Sequence, residues 1–196
     1  MEALMSRILV LTAHPRATSF CAALAVAYAE GARSSGHEVR TINLWQIEVD
    51  LAAPEYALLD SPAPWVSESQ TQIAWCEHLV IVAPMWWGGL PATFKLFIDR
   101  VLLPGFAFKY HGKGLGWDKL LAGRSAHVII TADTPPLIFR WLYGQPLVRQ
   151  FKKQILGFCG FSPIRATLLG PIKTSTARKR QQWIDHMRKR GEAELR

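Results

Sequence analysis

The sequence predicts an α/β protein, a three-layer α/β/α sandwich around a mainly parallel sheet of five strands. Short unbroken apolar runs, such as ILVL at residues 8–11 and LVIVA at 79–83, suit strands buried on both faces. Between such runs lie segments whose apolar residues recur at helical spacing. That alternation places helices on both faces of a parallel sheet. With no internal repeat and no linker, residues 1–196 read as a single domain large enough to bury its own core.

In chain order, the first strand at 8–11 runs into the polar stretch Thr12-Ala13-His14-Pro15-Arg16-Ala17-Thr18-Ser19. An alanine-rich helix follows over Phe20–Ser34, closed by Gly36. Ser19 is the natural N-cap and Thr18 the next choice. A polar loop at a helix N-terminus is a phosphate site on physical grounds: free N–H groups and the positive dipole end face it. His14 adds charge or a further donor. The plainer alternative leaves Ser19 as a cap only and His14 as a loop residue. Neither GxGxxG nor GxxxxGK[ST] occurs, and the glycines at 112, 114 and 116 follow no strand.

Residues 39–44 alternate as a short strand. The stretch 45–65 holds Pro54, Pro62 and Pro64 and reads as an irregular excursion, followed by a helix over 67–76. The strand at 79–83 then leads into Pro84-Met85-Trp86-Trp87-Gly88-Gly89-Leu90-Pro91, which cannot continue a central strand. After Pro91, Phe94, Phe97, Ile98, Val101 and Leu102 mark an amphipathic helix. A fourth strand at 126–131 ends at Ala132-Asp133-Thr134-Pro135-Pro136, with Phe139, Trp141 and Tyr143 close behind. Its His127 reads as a near-core imidazole. A helix carrying Leu147, Val148, Phe151, Ile155 and Phe158 comes next, then a fifth strand at Ile164–Leu169. Ser175 or Thr176 caps a last basic helix with Trp183, Ile184 and Met187 inward.

In an open α/β sheet, ligands bind at the carboxyl edge of the strands. The 84–91 loop belongs to that edge. Its two tryptophans offer flat faces, its glycines let a planar group approach the backbone, and loop N–H groups can donate to a heteroaromatic edge. A flavin ring asks for those features; ordinary core or dimer-interface tryptophans are the alternative.

Composition narrows the classes. Apolar content of 49% against 19% charged excludes a disordered chain. Cys21, Cys76 and Cys159 are distant and odd in number with no CxxC, which implies reduced thiols, a cytoplasmic setting and no structural metal. The chain leads almost directly into a strand, so no signal peptide is expected. Its longest uncharged run, 79–94, is too broken for stable membrane insertion. The net charge of +8 comes largely from Arg178-Lys179-Arg180 and Arg188-Lys189-Arg190, read as a solvated helix face. Such a field attracts anionic phosphates, and no nucleic-acid partner is expected.

The sequence resembles the NAD(P)H:quinone oxidoreductase family of flavodoxin-like flavoproteins. The resemblance rests on His14-Pro15 with Ser19-Phe20, on Ala83 through Gly88 and Pro91, and on Lys95 with Asp99-Arg100-Val101. Gly105-Phe106-Ala107-Phe108 and the run from Ile155 to Phe161 extend it. The family includes bacterial flavin reductases and ancillary subunits of potassium-efflux systems. The resemblance implies that His14, Thr18, Ser19 and Phe20 hold the phosphate of FMN, or the pyrophosphate of FAD. Pro84, Met85, Trp86, Trp87 and Gly88 would run along the ring, with Thr131 and Asp133 on its far side. FMN is favoured, since no distinct C-terminal extension is available to cover an adenine. Animal quinone reductases have a Thr-Thr-Gly-Gly turn followed by a tyrosine and a histidine. This chain has Ile130-Thr131-Ala132-Asp133 instead, with Tyr143 as a candidate substitute.

The implied activity is a flavin-dependent oxidation of NAD(P)H that reduces quinones or similar flat electrophiles by ping-pong hydride transfer. The loop of Trp86, Trp87 and Gly88 would stabilise charge on the ring. A homodimer with the slot at the subunit boundary is also implied. A regulatory ancillary flavoprotein of a potassium-efflux-type transporter, or an electron carrier, is the alternative; flavodoxin carriers are typically acidic, and this chain is basic.

Overall fold

The structure is a computed structural model and describes residues 5–48, 63–112 and 115–193. Five strands form one parallel sheet: β1 (Arg7–Thr12), β2 (Glu38–Asn43), β3 (His78–Pro84), β6 (Ser125–Thr131) and β7 (Ile164–Leu169). Their spatial order is β2-β1-β3-β6-β7, and every neighbouring pair is parallel. The chain builds outward from β1 to β2, then returns to place β3 on the other side of β1. The winding direction therefore reverses between β1 and β3, which opens a crevice at their carboxyl ends.

Sheet alternation sorts the core into two layers. Leu9, Leu11, Leu79, Ile81, Val128 and Ile130 face one side. There they meet α2 (Pro64–Trp75), α3 (Ala92–Val101) and the helical segments that follow β6. Ile8, Val10, Val80, Val82 and Ile129 face the other side, against Leu24 and Tyr28 of α1 (Phe20–Ser34) and Met187 of α7 (Ala177–Glu192). Central β3 is buried at all seven positions, which is why its sequence is apolar without alternation. His127 is fully buried, its Nε2 2.8 Å from Thr167 Oγ1.

Two glycines set how closely α1 and α7 pack. A Cβ at Gly31 would lie 2.0 Å from the Arg188 carbonyl oxygen, and one at Gly191 would lie 2.2 Å from that of Tyr28. The helix backbones are thus in direct contact.

Several elements depart from the pattern-based reading. Pro64 occupies the first turn of α2, so that helix starts before residue 67. Pro54 and Pro62 of the 45–65 excursion, and Lys113 and Gly114, lie outside the described residues. The glycine-containing stretch after Tyr110 connects a hairpin, β4 (Phe108–Tyr110) with β5 (Trp117–Lys119). Tertiary contact holds it: the Trp117 ring stacks on Phe158 at 4.5 Å, and its indole N–H donates to the Phe158 carbonyl at 2.9 Å. A short helix, α4 (Pro136–Trp141), starts at the double proline. The helix expected from Leu147 to Phe158 exists, but it winds as α5 (Pro146–Arg149), a π-helical turn (Gln150–Ile155) and α6 (Leu156–Cys159). Gly157 permits the wide turn, because a Cβ there would lie 2.0 Å from the Lys152 carbonyl oxygen.

Candidate active site

Parallel strands send all their following loops to one edge, and three of those loops enclose a cavity of about 330 Å³. The loop after β1 and the start of α1 contribute His14, Arg16, Thr18, Ser19, Phe20 and Cys21. The end of β3 contributes Pro84, Met85 and Trp86, and the end of β6 contributes Thr131, Ala132 and Asp133. Ile172, beyond β7, closes the side. An adjoining cavity of about 620 Å³ is lined by Met85, Trp86, Trp87, Gly88, Asp133 and Thr134. Met85, Trp86 and Asp133 are walls of both, so the two are halves of one slot.

The β1 end of the slot is built to receive an anion. Ser19 caps α1, its Oγ accepting from the Ala22 N–H at 3.2 Å. The first-turn N–H groups of Phe20 and Cys21 have no carbonyl one turn back to bond, so they face the cavity with the positive end of the helix dipole. His14 Nδ1 accepts the Arg16 backbone N–H at 3.0 Å, which leaves the ring proton on Nε2. Burial, and secondarily the Arg16 charge, lower the His14 pKa, so the imidazole is neutral at pH 7. It is a hydrogen-bond donor there, not a cation. Its ring also meets Trp86 edge-on at 5.5 Å, tying the β1 loop to the β3 loop.

The β3 loop is a tight turn. Trp86 and Gly89 exchange backbone hydrogen bonds of 3.0 and 2.9 Å, and the residues between them, Trp87 (φ 51°) and Gly88 (φ 75°), both have positive φ. Two positive-φ residues at the centre are the mark of a type I′ turn. This narrows the expectation that the backbone N–H groups of the Trp86–Gly88 loop are directed at a ligand. The Trp86 N–H is spent inside the turn, and the Met85 N–H donates to the Thr131 carbonyl at 2.8 Å. Among the described residues, the N–H groups of Trp87 and Gly88 take no protein acceptor. Nothing lies within 4 Å of where a Gly88 Cβ would be, and the Trp87 indole is fully exposed.

On the far wall, Thr131 is buried with its Oγ1 3.2 Å from Cys21 Sγ. Asp133 lines both cavities, but its Oδ1 also accepts the Lys173 backbone N–H at 2.6 Å, so it staples the loop after β7 to the loop after β6. Tyr143 is not brought to the slot: it follows α4, stands 58% exposed and lines neither cavity. Arg16, Cys21, Ala132, Thr134 and Ile172 line the slot without having been singled out. Arg16 had a visible signal, a cation inside the loop already read as a phosphate cradle; Ile172 had none, because only the sheet order brings the loop after β7 alongside.

A switch-point slot with an anion-binding helix end and a flat aromatic wall defines the class: a nucleotide-cofactor site in a doubly wound α/β protein. The chain belongs to the flavodoxin-like fold family, whose sequence model matches residues 6–191. It is 25% identical over 183 residues to FMN-dependent NADH:quinone oxidoreductase 1 of Bradyrhizobium diazoefficiens, covering 85% of this chain and 88% of that one. It is 28% identical over 152 residues to the ribosyldihydronicotinamide dehydrogenase-like protein traD of Penicillium crustosum. That match covers 67% of this chain but only 56% of the fungal protein. Among solved structures, Smu.1420 of Streptococcus mutans UA159 is 29% identical with a TM-score of 0.76, covering 95% of this chain and 98% of that one.

Proposed function

We propose that this chain is an FMN-dependent NAD(P)H oxidoreductase that reduces quinones or similarly flat acceptors. The observation that carries the reading is the single slot formed by the loops after β1, β3 and β6, phosphate-binding at one end and flat and aromatic at the other. The residues present fit FMN. The α1 N-terminus, the Ser19 and Thr18 hydroxyls and the His14 Nε2–H suit its phosphate. The open N–H groups of Trp87 and Gly88 suit the polar edge of its ring. When bound there, the flavin would supply hydride chemistry, taking a hydride from NAD(P)H and passing it to the acceptor, which gains one further proton from solvent.

The chain's own task is to hold and polarise. Donors fixed by a turn would need no reorganisation when negative charge builds on the ring. The half of the slot lined by Trp87 and Gly88, about 620 Å³, is where a flat reductant and then an acceptor would lie in turn, as ping-pong exchange requires.

We read the working form as a homodimer. Leu137, Trp141 and Leu142 of the α4 region are exposed at 71, 76 and 73%, a concentration of large apolar side chains that a second copy would cover. Cys21, Cys76 and Cys159 are all unpaired and buried, in keeping with a reducing cytoplasmic setting. No helix of the described residues is long and apolar enough to cross a membrane.

The test is the absorption spectrum of the purified protein, extraction of its nucleotide, and steady-state oxidation of NADH and NADPH with a benzoquinone. Flavin-loaded protein is expected to turn over with parallel double-reciprocal plots. Loaded protein without turnover would leave a carrier or transporter-regulating role in place of the enzyme. Sedimentation velocity checks the dimer.

A further inference from the structure

Among the described residues, Arg16 is the sole positively charged one in the wall of the 330 Å³ cavity, and Asp133 the sole negatively charged one. They enter on different loops, after β1 and after β6, with β3 between the two strands. The cavity is therefore electrically polarised along its length, positive beside the α1 N-terminus and negative on the far wall. A ligand with a dianionic tail and a neutral ring would be oriented by that arrangement before any close contact forms.

The other groups at the positive end supply hydrogen bonds without formal charge. Ser19 and Thr18 contribute hydroxyls, the helix end contributes N–H groups and a partial positive charge, and His14 is held as the neutral Nε2–H form. A terminal phosphate ester carries close to two negative charges at pH 7, which calls for a full cation and favours a guanidinium fork. The Arg16 backbone is fixed beside the cavity, since its N–H is anchored to His14 Nδ1 at 3.0 Å, and Arg16 is one of the residues that line it.

Resting on the FMN reading above, we infer that Arg16 is the residue that selects a terminal phosphate, clamping it from the mouth and distinguishing FMN from riboflavin. Arg16 is a positioning residue for the cofactor tail and takes no part in hydride transfer. Because its side chain is exposed, its contribution is screened by salt and belongs at the lower end of charge-assisted contacts.

The experiment compares FMN and riboflavin binding to flavin-stripped wild type and Arg16→Gln by quenching of flavin fluorescence, at low and high salt. Arg16→Gln keeps the backbone N–H that bonds His14, and far-UV circular dichroism and the thermal midpoint verify its fold. The expected result is a roughly tenfold loss of FMN affinity, riboflavin affinity within about twofold of wild type, and a weaker salt dependence for FMN. Arg16→Lys is expected to recover part of the loss. Equal weakening of both ligands, or no change for FMN, would overturn the assignment while leaving the flavin site standing. Wild type that binds neither ligand would overturn the flavin reading itself, and the role of Arg16 with it.

Discussion

Trp87 sits in the left-handed region at φ 51° with its indole wholly in solvent, two costs borne by one residue. A bulky side chain at positive φ costs on the order of 1 kcal/mol or more, and such strain collects where a loop must present its backbone to a ligand. Trp87→Gly relieves that strain and is expected to raise stability by about 1 kcal/mol in urea denaturation. The same change removes the flat face beside the slot, so the KM for a quinone should rise roughly fivefold with flavin binding little altered. A variant that loses stability would show that the indole is held by packing instead. The thiols contrast with this exposed, strained residue. Burial raises Cys21 and Cys159 to about 11 and Cys76 to about 12, so none is a ready nucleophile.

Between elements, the closest approach is that of α1 to α7, where two glycines bring backbone against backbone. A methyl group at Gly31 would overlap the Arg188 carbonyl, and backbone cannot yield as a flexible side chain can. Gly31→Ala is expected to cost about 1–3 kcal/mol through forced separation of the helices, despite the better helix propensity of alanine. Chemical denaturation measures it, and an unchanged midpoint would mean that the two helices slide freely. The consequence reaches the slot, because Phe20 at the start of α1 packs on Trp183 of α7 with ring centroids 6.1 Å apart. Helix separation should therefore loosen the phosphate end before the ring end.

For the molecule as a whole, the His78 part of the pH response lies at the sheet edge opposite the slot, and the lowered pKa of His14 adds to it in the same direction. His78 begins β3, is 1% exposed, and shares contacts with Ser125 Oγ at 2.7 Å and Tyr28 Oη at 3.5 Å. Burial, then the charges of Arg165 and His37, push its pKa down to about 4. Both folded and unfolded chains hold the imidazole neutral at pH 7. As pH falls below about 6.5 the unfolded chain takes the proton first, so stability drops between about pH 6.5 and 4 and levels off below. The loss reaches roughly 3 kcal/mol if His78 acts alone. Denaturation at pH 7 and pH 5 reads it; His78→Asn should flatten the slope, and an unchanged slope would assign the acid sensitivity to other groups.

Much of the architecture was legible because burial on two faces writes itself into composition. Apolar runs marked β1, β3 and β6, alternation marked β2, Ser19 marked the start of α1, and the Pro-Gly-rich break after β3 marked a loop at the carboxyl edge. The β4–β5 hairpin and α4 were not legible, since the first depends on Trp117 meeting Phe158 and the second is too short to carry a period. The same divide runs through the site. Which residue types could cradle a phosphate or flank a flat ring was readable from spacing along the chain. That Arg16 and Ile172 share one cavity while Tyr143 stands outside it, and that the Trp86 N–H is consumed within its own turn, were decided by strand order and turn geometry. Those depend on contacts between segments far apart in the chain, and local pattern does not encode them.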